Sequence, residues 1–228
     1  MIRSRSVHPL GGAGRHDDDD EDGWVSVPLV VDKRGKSEEL VDLYSRLLRD
    51  RVVFVGGGIS RPLAQVVTAQ LLFLANEDPK AEVSMYVNSP GGSISDGLAI
   101  IDTMRSMPCA VATYIVGQAA SMGSVIACSG TRGKRFALPN AENLMHQPLI
   151  GGVLEGQATD LEIEARHILR MREQLYDIYA RQTGKPKTQI AEDCERNKWL
   201  TAAEMKDYGL IDRVLEKRPV KAPTPPAA

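Results

Sequence analysis

The sequence predicts an α/β fold built around a largely parallel β-sheet. Hydrophobic periodicity switches between the strand and helix patterns at intervals of roughly 20 to 30 residues. Short runs of β-branched residues end in glycine-rich turns, which is typical of buried strands. Such an alternation favours right-handed strand–helix–strand crossovers. No internal repeat is visible.

The predicted elements follow in order along the chain. Leu40, Leu43, Leu47 and Leu48 share one face of a predicted helix over 38–51. Pro62 marks the start of the next helix, because proline is favoured in a first helical turn. The other predicted helices cover 60–76, 94–106, 121–128 and 157–182, and the predicted strands cover 51–55, 83–88, 110–116, 135–138 and 143–146.

Composition is that of a globular protein with one domain. The chain has 228 residues, 43% of them hydrophobic, and a formal net charge of −2. This balance gives no electrostatic case for nucleic-acid binding. No apolar run approaches the ~18 residues needed to cross a membrane, and the start lacks the apolar stretch of a secretory signal. Three cysteines at unrelated spacings exclude a disulfide scaffold and predict no metal site, so we expect a cytoplasmic protein.

Both ends of the chain are predicted to be disordered. Residues 1–24 form an arm rich in Gly, His and Asp, with a self-repelling acidic run over 17–20. Residues 218–228 form a proline-rich tail. The folded body is therefore predicted to cover 25–217.

Three glycine-bearing turns follow predicted strands, at 56–58, 89–92 and 117–123. None fits a dinucleotide or phosphate-loop pattern, so a nucleotide site is not expected. Ser121 lies in the third turn between small residues, at the mouth of a predicted helix whose dipole would favour a developing oxyanion. The alternative is that Ser121 only caps this helix.

His146 makes the catalytic interpretation of Ser121 more attractive. His8 and His16 lie in the predicted arm, and His167 lies among charged residues on a helix face. His146 ends an apolar strand, where a side chain points into the crevice at the strand ends. Ser121 and His146 are thus a candidate nucleophile and general base.

Five blocks of sequence resemble the ClpP family of caseinolytic serine peptidases, and the resemblance runs from Val27 to Glu216. They are YVNSPGGSISDGLAIIDTM, GQAASMGS, GKRFALPNAENLMHQPL, GQATDLEIEARHIL and LTAAEMKDYGLIDRV. The resemblance implies a crotonase-like fold of repeated βαβ units with a protruding long-helix handle. It also implies a serine endopeptidase that cleaves peptides alone and unfolded proteins when an AAA+ unfoldase supplies them.

The resemblance assigns roles to particular residues. Ser121 is the implied nucleophile and His146 the base, while the backbone N–H groups of Gly91 and Met122 form the oxyanion hole. The family's third catalytic residue is Asp, and alignment through the flanking blocks places Asn197 there. Counting from His146 without a loop insertion selects Glu195 instead, and Asp193 is a nearby carboxylate that could supply the missing charge.

Other implied features concern assembly. Glu195 and Arg196 match a pair that bridges two stacked heptameric rings, although they could equally be solvated charges. Gly151 and Gly152 lie in the loop whose backbone pairs with the substrate strand. The remaining assignments are an axial-pore loop at Val27, Pro28 and Leu29, and an outer apolar pocket for the unfoldase formed by Phe73, Tyr86 and Tyr114, which could instead be core packing.

The predicted partners are other copies of the chain or a paralogue in mixed rings, unfolded protein substrates, and an unfoldase such as ClpX, ClpA or ClpC. The chain itself is predicted to need no cofactor, because the unfoldase uses the ATP. Two alternatives remain. One is a ring subunit that assembles but cleaves weakly, with a paralogue supplying activity. The other is a crotonase-type acyl-CoA enzyme, which shares the fold but needs no Ser and His pair.

Overall fold

The structure is a computed structural model that describes residues 27–32, 38–149 and 155–216. These residues belong to two compact units that divide after Arg51. The predicted arm over 1–24, the predicted tail over 218–228 and the substrate-pairing glycines Gly151 and Gly152 lie outside the described residues.

The first unit corrects the predicted helix over 38–51. Strand β1 (Leu29–Asp32) pairs antiparallel with β2 (Glu39–Asp42), and only Leu43–Arg49 form helix α1. The Asp42 side chain accepts a hydrogen bond from the Ser45 N–H at 2.9 Å, which caps the helix at this point. Leu40 is 60% exposed, so the leucine periodicity does not mark one buried helical face.

The second unit contains a seven-stranded sheet. Its strands are β3 (Val52–Gly56), β4 (Val83–Ser89), β5 (Val111–Ala120), β6 (Arg135–Ala137), β7 (Glu142–Met145), β8 (Lys198–Thr201) and β9 (Arg213–Val214). Strands β3, β4, β5, β6 and β9 lie side by side and are all parallel. Strand β7 is parallel to β5, and β8 is antiparallel to β7. The predicted, largely parallel α/β fold is confirmed.

Six helices accompany this sheet within the described residues. They are α2 (Arg61–Glu77), α3 (Ile94–Ser106), α4 (Met122–Cys128), α5 (Ala158–Thr183), α6 (Lys187–Asp193) and α7 (Ala202–Tyr208). Helix α2 contacts α3, α3 contacts α4, and α4 packs on β5. None of the described helices has the length and apolar character that a membrane span requires.

The long helix α5 agrees with the predicted 157–182 to within one residue at each end, and α3 agrees with the predicted 94–106 at both ends. Helix α5 ends at Gly184, which has a positive φ of 76° and suits a helix terminus. Only its carboxyl-terminal part is buried, through Leu175, Tyr176, Ile178 and Tyr179. The amino-terminal part exposes apolar side chains, including Ile163 at 56% and Leu169 at 48%.

Strand β5 organises the region that follows. Its first part pairs with β6, through Thr113, Tyr114 and Ile115, and its last part pairs with β7. It is longer than the predicted strand over 110–116 and runs directly into the turn at Ser121. The chain segments that end at Ser121 and at His146 are therefore neighbours in the sheet.

Candidate active site

Ser121 lies on a sharp turn between β5 and α4. Its backbone has φ 54° and ψ −122°, and Arg51 is the other non-glycine residue with positive φ among those the structure describes. Such a conformation costs about 1–3 kcal/mol and is found disproportionately at functional sites. The Ser121 side chain makes no capping hydrogen bond to α4, so the capping alternative does not account for this serine. A strained strand-to-helix turn of this kind presents a nucleophile in many hydrolases.

The turn over 89–92 lies directly against Ser121. Gly91 has φ 100°, and a Cβ at this position would lie 2.6 Å from the Ser121 Cβ and 3.1 Å from the Met122 nitrogen. Only glycine therefore fits there. This contact brings both predicted oxyanion residues, Gly91 and Met122, next to the nucleophile.

The hydrogen bonds nevertheless favour a different donor from this turn. The Gly91 N–H donates to Ser89 Oγ at 3.1 Å, so it is engaged. Gly92, the next residue, lines the cavity beside Ser121. Within the described residues the N–H groups of Gly92 and Met122 have no acceptor. Gly92 lies opposite Ile59 in an isolated β-bridge, but the two hydrogen bonds of that bridge use the Gly91 oxygen and the Ser93 N–H. Among the described residues, Gly92 and Met122 thus offer unoccupied backbone donors beside Ser121.

His146 follows the last residue of β7. Its Nδ1 atom lies 2.6 Å from the backbone oxygen of Gln147. Because a carbonyl oxygen can only accept, this hydrogen bond places the proton on Nδ1 and leaves a lone pair on Nε2. That tautomer is the one a general base requires.

Asn197 precedes the first residue of β8. The antiparallel ladder ends with Met145 opposite Lys198, so His146 and Asn197 are the residues that adjoin its last pair. Beyond it the register changes, since the Gln147 N–H donates to the backbone oxygen of Cys194 at 2.8 Å. In the described structure the Asn197 side chain is exposed and makes no hydrogen bond to another described residue. Asn197 and His146 thus lie at the same end of the β7–β8 ladder, and a bond between the two side chains stays a prediction.

The two alternative carboxylates have other partners. The Glu195 side chain lies 3.5 Å from the Gln147 amide nitrogen, one residue away from His146. Asp193 accepts hydrogen bonds from Lys198 and from the Tyr208 hydroxyl, the latter at 2.6 Å. Burial opposes ionisation of Asp193, but the bonds from Lys198, Tyr208 and Gln189 outweigh it and lower the pKa of Asp193. The Asp193 carboxylate is thus already bonded to Gln189, Lys198 and Tyr208.

One cavity of about 280 Å³ collects the candidate residues. Ser121 and His146 both line it, and Gln147 and Pro148 form the adjoining wall. The rest of its lining is mainly apolar and comes from Pro90, Gly92, Ile94, Met122, Val125, Leu149, Leu175 and Tyr179. A cavity of this size admits an apolar side chain beside the nucleophile. No hydrogen bond joins Ser121 to His146 in the described structure.

Other predicted site residues lie elsewhere. Tyr86 and Tyr114 stack with ring centroids 4.8 Å apart, in a ladder that continues to Phe54 and Phe136 across four strands. Phe73 lies on α2, is 54% exposed and takes no part in that ladder. Arg196 is exposed in the turn before Asn197, and His167 is exposed on α5. No three His, Cys, Asp or Glu side chains in the described ranges group in a way that could hold a metal ion.

Gly92 and Tyr179 line the cavity, but the sequence alone did not identify them as site residues. Gly92 is adjacent to Gly91, and the sequence cannot tell which N–H is already engaged. Tyr179 occupies a core position of α5, and a tyrosine there needs a buried partner for its hydroxyl. That requirement is the signal that could have identified it.

The fold and the cavity together are typical of hydrolases with an activated nucleophile. Parallel strands end at a cavity that holds a serine on a strained turn, a histidine with an available Nε2 and two free backbone donors. The model of the Clp protease family matches residues 35–218, and the chain belongs to that family. This confirms the resemblance to ClpP and supports a ClpP-like peptidase; the acyl-CoA alternative gains no support.

Proposed function

We propose that the chain is a serine endopeptidase subunit of a self-compartmentalised ring protease. The observation that carries the proposal is that Ser121, on its strained turn, and His146, with its Nε2 lone pair available, line the same cavity. Membership of the Clp protease family supports peptide bonds as the substrate.

In the acylation step the Ser121 hydroxyl attacks the carbonyl carbon of the scissile peptide bond. His146 Nε2 takes the hydroxyl proton, and the negative charge moves to the carbonyl oxygen. The N–H groups of Met122 and Gly92 stabilise this oxyanion, and removing one such donor from a protease typically costs ~10²–10³ in rate. His146 then gives the proton to the departing amine, and an ester on Ser121 remains.

In the deacylation step a water molecule replaces the amine. His146 accepts a proton from the water as it attacks the ester carbonyl, and then returns a proton to Ser121 Oγ. The carboxylic acid product leaves and the enzyme is restored. The backbone oxygen of Gln147 holds the Nδ1 proton throughout, and Asn197 contributes an amide dipole without a charge.

The substrate would lie extended across the cavity, with one apolar side chain among Ile94, Val125 and Leu175. The loop containing Gly151 and Gly152 would pair with its backbone. A pocket lined by such side chains discriminates weakly between apolar residues, since one methylene is worth only about 1–3 kcal/mol. We therefore expect loose cleavage preference.

The family implies ring assembly in general, and we propose two stacked heptameric rings that enclose the sites. The exposed apolar residues on α5 support an interface along this helix. An AAA+ unfoldase would use ATP to deliver unfolded proteins, whereas short peptides would enter without it. This chain would need no cofactor of its own, and we propose that it works in the cytoplasm.

A second candidate function is a ring subunit with weak activity beside a more active paralogue. The observation in its favour is that no carboxylate among the described residues bonds to His146. In trypsin-like enzymes, replacing the triad Asp by Asn lowers kcat ~10⁴-fold. Papain-like enzymes work with Asn in this role, which favours the first candidate.

Cleavage of a fluorogenic peptide by the purified chain tests the proposal. The native protein should cleave it, and Ser121→Ala and His146→Ala should each lower kcat by at least ~10³-fold in intact oligomers. Ser106→Ala, at an exposed helix end, is the control and should retain full activity. Full activity of Ser121→Ala would reject the proposal, and a slow native enzyme stimulated by a paralogue would favour the second candidate.

A further inference from the structure

A buried polar network joins three elements beneath the Ser121 turn. The Tyr179 hydroxyl, on α5, donates to Ser124 Oγ, on α4, at 2.8 Å. The Asn143 amide nitrogen, on β7, donates to the same Ser124 oxygen at 2.8 Å when the amide is oriented to satisfy its neighbours. Asn143 is 1% exposed and Ser124 is fully buried.

The network supports the strained turn from both sides. Before the turn, the Asn143 nitrogen also donates to the backbone oxygen of Ala119 at 3.0 Å. After the turn, the Ser124 N–H donates to the backbone oxygen of Ser121 at 3.0 Å. A positive φ at a non-glycine residue persists only where surrounding contacts fix it. The network supplies such contacts.

Asn143 also has a direct relation to the base. It lies three residues before His146 on β7, and its side-chain oxygen accepts from the Leu144 N–H at 3.2 Å. Asn143 thus fixes the spacing between the strand that leads to Ser121 and the strand that leads to His146. Through Tyr179, helix α5 is joined to the same network, and Tyr179 also lines the cavity.

The hydroxyl of Tyr179 stays a donor at every ordinary pH. Burial raises the pKa of Tyr179 well above its usual range, so the group is not ionised. Ser124 Oγ accepts from Tyr179 and from the Asn143 nitrogen. Each of the three side chains therefore has a hydrogen-bond partner within the network.

We propose that Tyr179, Ser124 and Asn143 are positioning residues that hold the Ser121 nucleophile at a fixed geometry relative to His146. They act through the backbone of the turn and touch no reacting atom. The catalytic part of this inference rests on the proposed function, whereas the support of the turn does not.

Tyr179→Phe removes one hydroxyl and keeps the ring, and Tyr176→Phe is its matched control. Tyr176 lies on the same helix, is 4% exposed, and its hydroxyl bonds to no described residue. We expect Tyr179→Phe to lower kcat for a short peptide by roughly tenfold or more, because small displacements of reacting groups cost large factors. KM and the mass of the oligomer should stay within a factor of two, and Tyr176→Phe should leave all three unchanged.

Hydrogen–deuterium exchange measured by mass spectrometry gives a readout that needs no activity. Peptides that cover 119–125 should exchange at least several-fold faster in Tyr179→Phe and Ser124→Ala than in Tyr176→Phe. Unchanged exchange in that segment, or unchanged kcat in an active enzyme, would overturn the positioning role. If the native protein cleaves nothing while exchange still rises, the proposed function fails and the support of the turn stands.

Discussion

Ser121 carries backbone strain, and its surroundings account for how that strain persists. Gly91 lies against the Ser121 Cβ. The Ser121 N–H donates to the backbone oxygen of Leu144 at 2.9 Å, and the Ser121 backbone oxygen accepts from the Ser124 N–H. The hydroxyl makes no capping bond. A side chain held in a strained position without a structural partner is a candidate for chemistry.

We predict that Gly91→Ala lowers peptide cleavage at least ~100-fold, because the new methyl would overlap the Ser121 Cβ and force the turn to move. Gly133→Ala is the matched control: Gly133 also has a positive φ, 82°, but a Cβ there meets nothing within 4 Å. Steady-state kinetics on both variants, with the oligomer checked, distinguish crowding at the nucleophile from backbone strain alone. Equal losses in the two variants would contradict the steric argument.

We predict that Asn197→Asp increases the rate of acylation. Asn197 and His146 both adjoin the last pair of the β7–β8 ladder, so a carboxylate at 197 would stabilise the imidazolium that forms during attack. The upper limit is ~10⁴-fold, from the trypsin-like comparison, and a site built around Asn should gain much less. The measurement is kcat/KM on one fluorogenic peptide.

Three variants serve as controls for that prediction. Asn76→Asp adds the same charge at an exposed position of α2 and should change nothing. Glu195→Gln and Asp193→Asn test the alternative carboxylates. If Asn197→Asp is neutral and either of these two abolishes cleavage in intact rings, the residue whose loss is fatal takes the third catalytic role.

At the scale of elements, the short carboxyl-terminal pieces secure the edge of the site. The buried Arg135 side chain, on β6, donates to Asp212 from Nε at 3.0 Å and from Nη2 at 2.6 Å. It also donates to the oxygens of Gln182 and Gly209, at the ends of α5 and α7. The Arg135 guanidinium thus connects the carboxyl-terminal ends of α5 and α7, and Asp212 just before β9, to the sheet.

We predict that Asp212→Ala destabilises the fold by about 3 kcal/mol, since it leaves a buried guanidinium without its carboxylate. The midpoint of thermal unfolding should fall by roughly 6–12 °C. Asp207→Ala, at an exposed position of α7, should change it by less than about 2 °C. If Asp212→Ala lowers the midpoint by no more than the control does, the backbone oxygens of Gln182 and Gly209 are sufficient partners for Arg135 and the prediction is wrong.

The same pair predicts a dependence on pH. Burial opposes ionisation of Asp212, but the hydrogen bonds from Arg135 outweigh it and lower the pKa of Asp212. The stabilisation is therefore complete above about pH 5 and is lost as pH falls through the lowered pKa, below about pH 4. The difference in midpoint between native protein and Asp212→Ala should be constant from pH 7 to about 5 and shrink below that.

The sequence predicts the elements between β3 and α5 well and those nearer the two ends of the chain poorly. Helix α5 has enough turns for its periodicity and its terminal glycine to fix both ends. Helices α6 and α7 and strands β8 and β9 have two to seven residues, too few for periodicity alone to reveal them. Residues 39–42 are predicted as helix because Leu40 has helical spacing to the leucines that follow it, whereas the pairing with β1 makes them a strand.

The candidate site divides in the same way. Ser121 and His146 could be selected from the sequence because glycine-rich turns and strand ends are recognisable. The choice between Gly91 and Gly92 depends on one hydrogen bond to Ser89. The positive φ of Ser121 and the buried network at Asn143 depend on contacts between distant segments, which local sequence does not encode.

At the scale of the whole molecule, helix α5 exposes apolar side chains that a single chain does not cover. Ile163 and Leu169 are exposed on a helix whose other residues there are mostly polar. We predict an oligomer of about fourteen chains in two closed rings. Ile163→Glu should lower the mass measured by light scattering, because it places a charge in the interface between copies, and Glu164→Gln should not. A native mass near 24.9 kDa under all conditions, including with an unfoldase present, would reject the assembly.

Covalent labelling is the most direct test of Ser121 as a nucleophile activated by His146. A fluorophosphonate reacts only with an activated serine, and mass spectrometry of the digested protein locates the adduct. We predict a single adduct on Ser121 that is lost in Ser121→Ala and forms at least ~10²-fold more slowly in His146→Ala. Absence of an adduct in the intact oligomer, or an adduct on another serine that persists in Ser121→Ala, would contradict the claim.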